Sequence, residues 1–160
     1  MKTSTIVIVC APLLVASSAV GAPPPAVPNV PPVLVAKAPN LVPIASRMQK
    51  GTMSVRNTGS APAGPFKVTV ECSVMGERGG CAEPSPREAA PYDDGAFPNK
   101  LTVSVSGLAP GHVFNHKIAF WDSLVWPSGN YEFTVVADAG GTVAETNEAD
   151  NDGGTVMNVP

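Results

Sequence analysis

Between Phe66 and Val74 the chain alternates strictly, with Phe66, Val68, Val70, Cys72 and Val74 set against Lys67, Thr69, Glu71 and Ser73. A period of two places successive side chains on opposite faces of an extended strand, so one face here is buried and the other wet. The pattern returns at Met53 and Val55 against Thr52, Ser54 and Arg56, and at Leu101, Val103 and Val105 against Thr102, Ser104 and Ser106. Leu41 to Ala45, Val113 to Phe120, Tyr131 to Ala137 and Thr155 to Val159 read as further strands, for a total of about seven. Asn57-Thr58-Gly59, Gly64-Pro65 and Ala109-Pro110-Gly111 supply the turns between them, and no convincing helical stretch is visible. Short antiparallel strands at this spacing predict an all-β sandwich.

The N-terminal end follows a different rule. Lys2 precedes an apolar run from Ile6 to Val20 that ends in Val20-Gly21-Ala22, the build of a cleavable secretory leader rather than of a membrane span. Residues 1–22 are therefore expected to be a signal peptide. Cys10 lies inside the apolar run rather than at its exit, which disfavours a lipid anchor. Residues 23–38 alternate proline with small apolar residues, a composition for extended polyproline conformation that suits either a spacer or a disordered tail. The sandwich is expected over 39–160, as a secreted or periplasmic product with no membrane insertion.

That destination bears on the cysteines. Cys72 and Cys81 remain after the leader is removed, and in an oxidising compartment they are expected to be bridged. A redox or metal role would need a closer pair or a neighbouring histidine. With Lys2 removed, 9 basic residues stand against 13 acidic ones, a balance of −4. A mildly acidic chain lacks the basic patch that nucleic acid or anionic lipid requires.

The last thirty residues combine a strand, a turn rich in carboxylates and amides, and a closing strand. Together with Pro39-Asn40-Leu41, Val55-Arg56-Asn57-Thr58-Gly59, Gly107-Leu108-Ala109-Pro110-Gly111 and Gly129-Asn130-Tyr131, the run Ala137-Asp138 through Val143-Ala144-Glu145-Thr146-Asn147-Glu148-Ala149-Asp150-Asn151 resembles the CARDB family. These are cell-adhesion-related domains of bacteria. The resemblance implies an Ig-like antiparallel sandwich of seven strands, non-catalytic, in secreted or surface proteins. Two departures stand out: a single module is visible, and Met75 to Lys100 is longer than the family's connection there.

Several residues are candidates for more than the fold. Asp138, Glu145, Glu148 and Asp150 offer oxygen donors at a density that suits calcium, although Asp138, Asn147 and Asn151 also suit turns in which a side chain caps the backbone. Trp121 and Trp126 could stack on a sugar ring or partner, or close one end of the core. His116 sits on an apolar face with Phe114, and reads as a core or rim histidine rather than a ligand. The long connection carries Arg87, Tyr92, Asp93 and Asp94, and long loops on rigid sandwiches are where recognition concentrates. No Gly-x-Ser-x-Gly or comparable catalytic motif occurs, so no enzyme is expected. The expected function is a binding or adhesion module for a protein or glycan. A structural or assembly component of the cell envelope, stabilised by calcium, is the alternative.

Overall fold

The computed structural model describes residues 37–74, 80–92 and 100–160, all within the unit Val35–Pro160. The expected leader and most of the spacer lie outside the described residues. The strands are β1 Leu41–Pro43, β2 Thr52–Asn57, β3 Phe66–Val74, β4 Lys100–Val105, β5 Val113–Lys117, β6 Gly129–Val136 and β7 Asp152–Val159. They form two sheets, β1-β2-β5 and β4-β3-β6-β7, and every neighbouring pair is antiparallel. The chain is an all-β sandwich.

Register shows why the alternation had to produce this arrangement. Phe66, Val68 and Val70 stand opposite Val105, Val103 and Leu101, while Val70, Cys72 and Val74 stand opposite Val135, Phe133 and Tyr131. Residues directly opposite share a face, so three strands present one apolar surface to Leu41, Met53 and Val55 of the other sheet. Leu41, Met53, Val55, Val68 and Val135 are fully buried. At about 25 cal/mol per Å² of apolar surface removed from water, burial of these side chains supplies the main drive for folding.

Four expectations change. The segment after β1 is not strand: Ala45–Lys50 is a 3-10 turn closed by Gly51 in the left-handed conformation, which lets Met48 drop into the core. Ser54, expected on the wet face, is fully buried because Asn115 covers it and accepts its hydroxyl at 2.8 Å. β5 ends at Lys117, since Ile118 and Phe120 turn inward and Trp121–Ser123 is a further 3-10 turn. β7 starts three residues early, at Asp152, with Gly153 lying against Pro43 and Ala45. Among the described residues no helix is long and apolar enough to cross a membrane.

Candidate functional site

Two regions concentrate polar or aromatic chemistry. The first is the carboxylate-rich turn, which proves to be a clasp on the start of the domain. Asn40 is buried; its amide donates to Asp150 Oδ2 at 3.0 Å and to Thr58 Oγ1 at 3.0 Å, and its carbonyl accepts from Asn147 N at 3.0 Å and Thr146 Oγ1 at 3.1 Å. The Leu41 N–H donates to Glu145 Oε2. Asp138, left-handed at φ 43°, accepts from Val143 N at 2.7 Å and Thr142 Oγ1 at 2.9 Å. A short polar side chain bonding its own turn is what makes that conformation tolerable for a residue other than glycine. Glu148 is likewise engaged, accepting from Glu145 N at 2.9 Å and Asn151 Nδ2 at 3.1 Å.

Among the described residues, three oxygens in this turn have no hydrogen-bond partner within normal geometry. Glu145 Oε1, Asp150 Oδ1 and Asn151 Oδ1 are buried and unpartnered. Burial pushes the Glu145 carboxyl above its ordinary value, with Glu148 and Asp138 adding repulsion and the Leu41 N–H opposing the shift. Among the described residues no group of three or more His, Cys, Asp or Glu side chains is disposed to hold a metal ion. Within the set Asp138, Glu145, Glu148 and Asp150, the oxygens of Asp138 and Glu148 all accept hydrogen bonds. The donor-free oxygens belong instead to two carboxylates and an amide. This composition fits a hard cation that takes oxygen ligands.

The second region is built from the long connection and the segment after β5. Cys72 of β3 and Cys81 are joined by a disulfide with 6.2 Å between their Cα atoms. Beyond it α1, Pro86–Ala89, opens with a capping box in which Ser85 and Glu88 each bond the other's backbone. The Ser85 contacts hold the Glu88 carboxyl below its usual range. Ala89 and Tyr92 are buried, and the Tyr92 hydroxyl meets His116 Nε2 at 3.1 Å and the Ala119 N–H at 3.2 Å. Arg87, Glu88, Pro91 and Tyr92 thereby face Ala119, Phe120 and Ser123 across a shallow groove. Next to it an apolar cavity of about 40 Å³ lies among the disulfide, Ala82, Pro84, Leu101, Leu124 and Trp126. Val125, at the tip between the last two, is 86% exposed.

Residues 80–154 match the family model of CARDB. The chain resembles the CARDB family. A CARDB domain of a Pyrococcus furiosus protein, solved in complex with di-metal ions, is 18% identical, covering 78% of this chain and 96% of that one with a TM-score of 0.42. No curated protein matches. The early motifs around Asn40 and Asn57 precede the matched range of this CARDB-like chain, yet the Asn40 hydrogen bonds tie them to Thr146, Asn147 and Asp150 within it.

The CARDB-like sandwich sorts the expected recognition residues. Arg87 is exposed on the groove. Tyr92 is buried rather than presented at the surface, because its ring meets His116 and Phe120 edge-on, and Trp121 takes the second of its two readings, closing the core, with Trp126 and Phe133 packed on it at 5.0 and 5.3 Å. Trp126 is half-buried, its ring engaged by Trp121, Tyr131 and Phe133, so its indole is not a free platform for a sugar. Asp93 and Asp94 lie outside the described residues. Val125 went unnoticed in the sequence, where the run Leu124-Val125-Trp126 carries the signal of a buried segment. Asn151 was visible only as a turn former.

Proposed function

We propose that this chain is an exported, non-catalytic recognition module that holds a protein partner on the end formed by residues 80–92 and 119–127. The observation that supports this most directly is the exposed Val125 beside an apolar cavity bounded by the disulfide. An isolated apolar tip next to an apolar recess suits a protein surface, since binding energy concentrates where side chains are packed and desolvated in such recesses. A glycan is disfavoured because the rings of Trp121 and Trp126 stack on their neighbours. Exposed Arg87 adds a charge at the rim, where it would tune encounter more than affinity.

The test is site-specific photo-crosslinking in the native host. A photoreactive residue at Val125 or Arg87 is expected to capture one discrete partner band, and the same residue at exposed Ser106 is not. Val125→Asp should reduce capture through Arg87 by about tenfold, the effect of placing a charge against an apolar anchor. Equal capture from all three positions, or capture from Ser106 alone, would remove the site from this end.

A second reading, the cation-stabilised structural component, is supported by the donor-free oxygens of Glu145, Asp150 and Asn151. Calcium would draw on those three atoms and supply the positive charge that the desolvated Glu145 carboxylate lacks. In its absence, a folded-state pKa above the unfolded value means that the folded chain binds the proton more readily. Stability from this group then falls as pH rises from the ordinary glutamate range through the raised value, and the penalty is complete above it. Glu145→Gln is accordingly expected to flatten that slope without calcium. Calcium at ten times its Kd should stabilise the parent by about 1.4 kcal/mol, and the variant much less. Calorimetric titration and melting curves with and without chelator decide it: no heat and no shift in the parent would overturn the cation reading.

A further inference from the structure

The outer face of the three-stranded sheet carries a charge opposite in sign to that of the whole chain. Register sets its outward side chains in three rows: Val42, Arg56 and Val113; Ser54 and Asn115; Thr52 and Lys117. Arg47 rises from the turn after β1 and donates to Asn115 Oδ1, which brings a guanidinium to the middle row. Lys117 Nζ meets the Lys50 carbonyl at 2.7 Å and Asp122 Oδ1 at 3.1 Å. Arg47, Lys50, Arg56 and Lys117 are all exposed. Among the described residues one carboxylate, Asp122, pairs with any of these four cations. Four against one leaves the face at +3 on a chain whose formal balance is −3.

We propose that this face binds an acidic polysaccharide, a polymer of carboxylate-bearing sugars laid along β2 and β5. Alternate residues of a strand are about 7 Å apart, so Arg56, Arg47 and Lys117 climb the face in steps of about that length. Cations so spaced do not converge on one small anion; they match charges repeated along a polymer. The planar guanidinium fork suits a carboxylate, and Arg47 spends one of its N–H groups on Asn115, leaving the others for a ligand. Thr52 and Asn115 place a hydroxyl and an amide between the cations, the groups that sugar hydroxyls bond. No row carries an aromatic ring on which bases would stack, and the apolar members, Val42 and Val113, are half-buried, too little to enter a bilayer. The Lys117–Asp122 pair is exposed on both sides, and such pairs are weak enough for Lys117 to exchange its partner. Beyond the Arg56 end stands the carboxylate turn, where Glu145 takes the Leu41 N–H; its repulsion directs the polymer toward Lys117. Neither Arg47 nor Arg56 lines the cavity or the groove of the recognition end, so this is a second surface, acting by charge rather than by ring stacking.

Calorimetric titration of the disulfide-intact protein with polygalacturonate, in low salt with chelator present, tests this. Binding is expected to be saturable and to weaken about tenfold between about 20 and about 150 mM salt, as screening of exposed charges requires. Neutral dextran should give no heat. Arg47→Gln and Arg56→Gln should each cost about threefold to tenfold in affinity, the loss of one charge-assisted contact, and together should abolish binding. Lys67→Gln removes the same charge from the exposed face of the other sheet, and should change affinity by less than about twofold if position rather than net charge matters. All three side chains are exposed, and unchanged melting temperatures would show that the fold is kept. The proposal is overturned if polygalacturonate does not bind in low salt, or if Lys67→Gln costs as much as Arg56→Gln. It is equally overturned if single-stranded DNA or phosphatidylglycerol vesicles bind as tightly as the polysaccharide. Crosslinking through Val125 reads the other surface, so either result can fail while the other stands.

Discussion

Replacing Asn57 with leucine is expected to destabilise the domain by about 3 to 5 kcal/mol, enough to unfold a large share of a marginally stable sandwich. The side chain is fully buried and makes four hydrogen bonds: Oδ1 accepts from Asn40 N at 3.2 Å and Gly59 N at 3.0 Å, and Nδ2 donates to the carbonyls of Ala61 and Leu108, each at 2.9 Å. Its backbone completes the junction, with the N–H bonding His112 O at 3.1 Å and the carbonyl accepting from Gly111 N at 2.8 Å. One amide thus ties the start of the domain, the turn after β2 and the turn before β5. Leucine keeps the volume and strands the partners, and buried groups left unpaired forfeit far more than an average hydrogen bond contributes. Aspartate should be no rescue at neutral pH, because its second oxygen would face the two carbonyls that the amide now feeds. By contrast Asn158→Ala, which removes only an exposed bond to Asn130, should stay within about 0.5 kcal/mol. Urea denaturation measures all three. A small effect of Asn57→Leu would mean that water satisfies the junction and that the amide is dispensable.

The same residue marks the boundary of what could be read in advance. Asn57 in Asn57-Thr58-Gly59 was legible as a turn former from its type and position, and the alternation of β3 announced its buried face correctly because only neighbours two apart matter there. That Asn57 also carries a three-way junction depends on Leu108 and Asn40, which approach only in the folded chain. Ala45–Lys50 gave no helical signal for a related reason: its six residues offer two buried positions, Ala45 and Met48, too few to distinguish a helical spacing from an irregular one. The candidate site was least legible of all. Its cavity draws Cys81, Ala82 and Pro84 from one connection, Leu101 from β4, and Leu124 and Trp126 from another, so no local pattern contains it. The aromatic residues that looked like recognition elements are mostly used to close the core beneath.

Gly51→Ala is expected to lose about 3 kcal/mol and to disturb that core from a turn that abuts the start of β2. Gly51 closes the 3-10 turn at φ 66°, with its N–H bonding the carbonyl of Met48 at 2.9 Å, and its own carbonyl holds Ile118 N at 2.9 Å. A β-carbon built there would fall inside the indole of Trp121. Two penalties combine: about 1 kcal/mol for an ordinary residue in the left-handed region, and about 1 to 3 kcal/mol for forcing a well-packed aromatic to shift. Gly111→Ala separates them. It also has a left-handed backbone, at φ 75°, but nothing lies within 4 Å of its would-be β-carbon, so only the first penalty applies. The difference between the two variants in thermal unfolding therefore isolates the clash with Trp121. Because Trp121 packs on Trp126 at 5.0 Å, and both line the cavity beside Val125, Gly51→Ala should also shift tryptophan emission where Gly111→Ala leaves it unchanged. Equal losses and unchanged emission would show that the indole yields without resistance, and that the floor of the candidate site is softer than its packing implies.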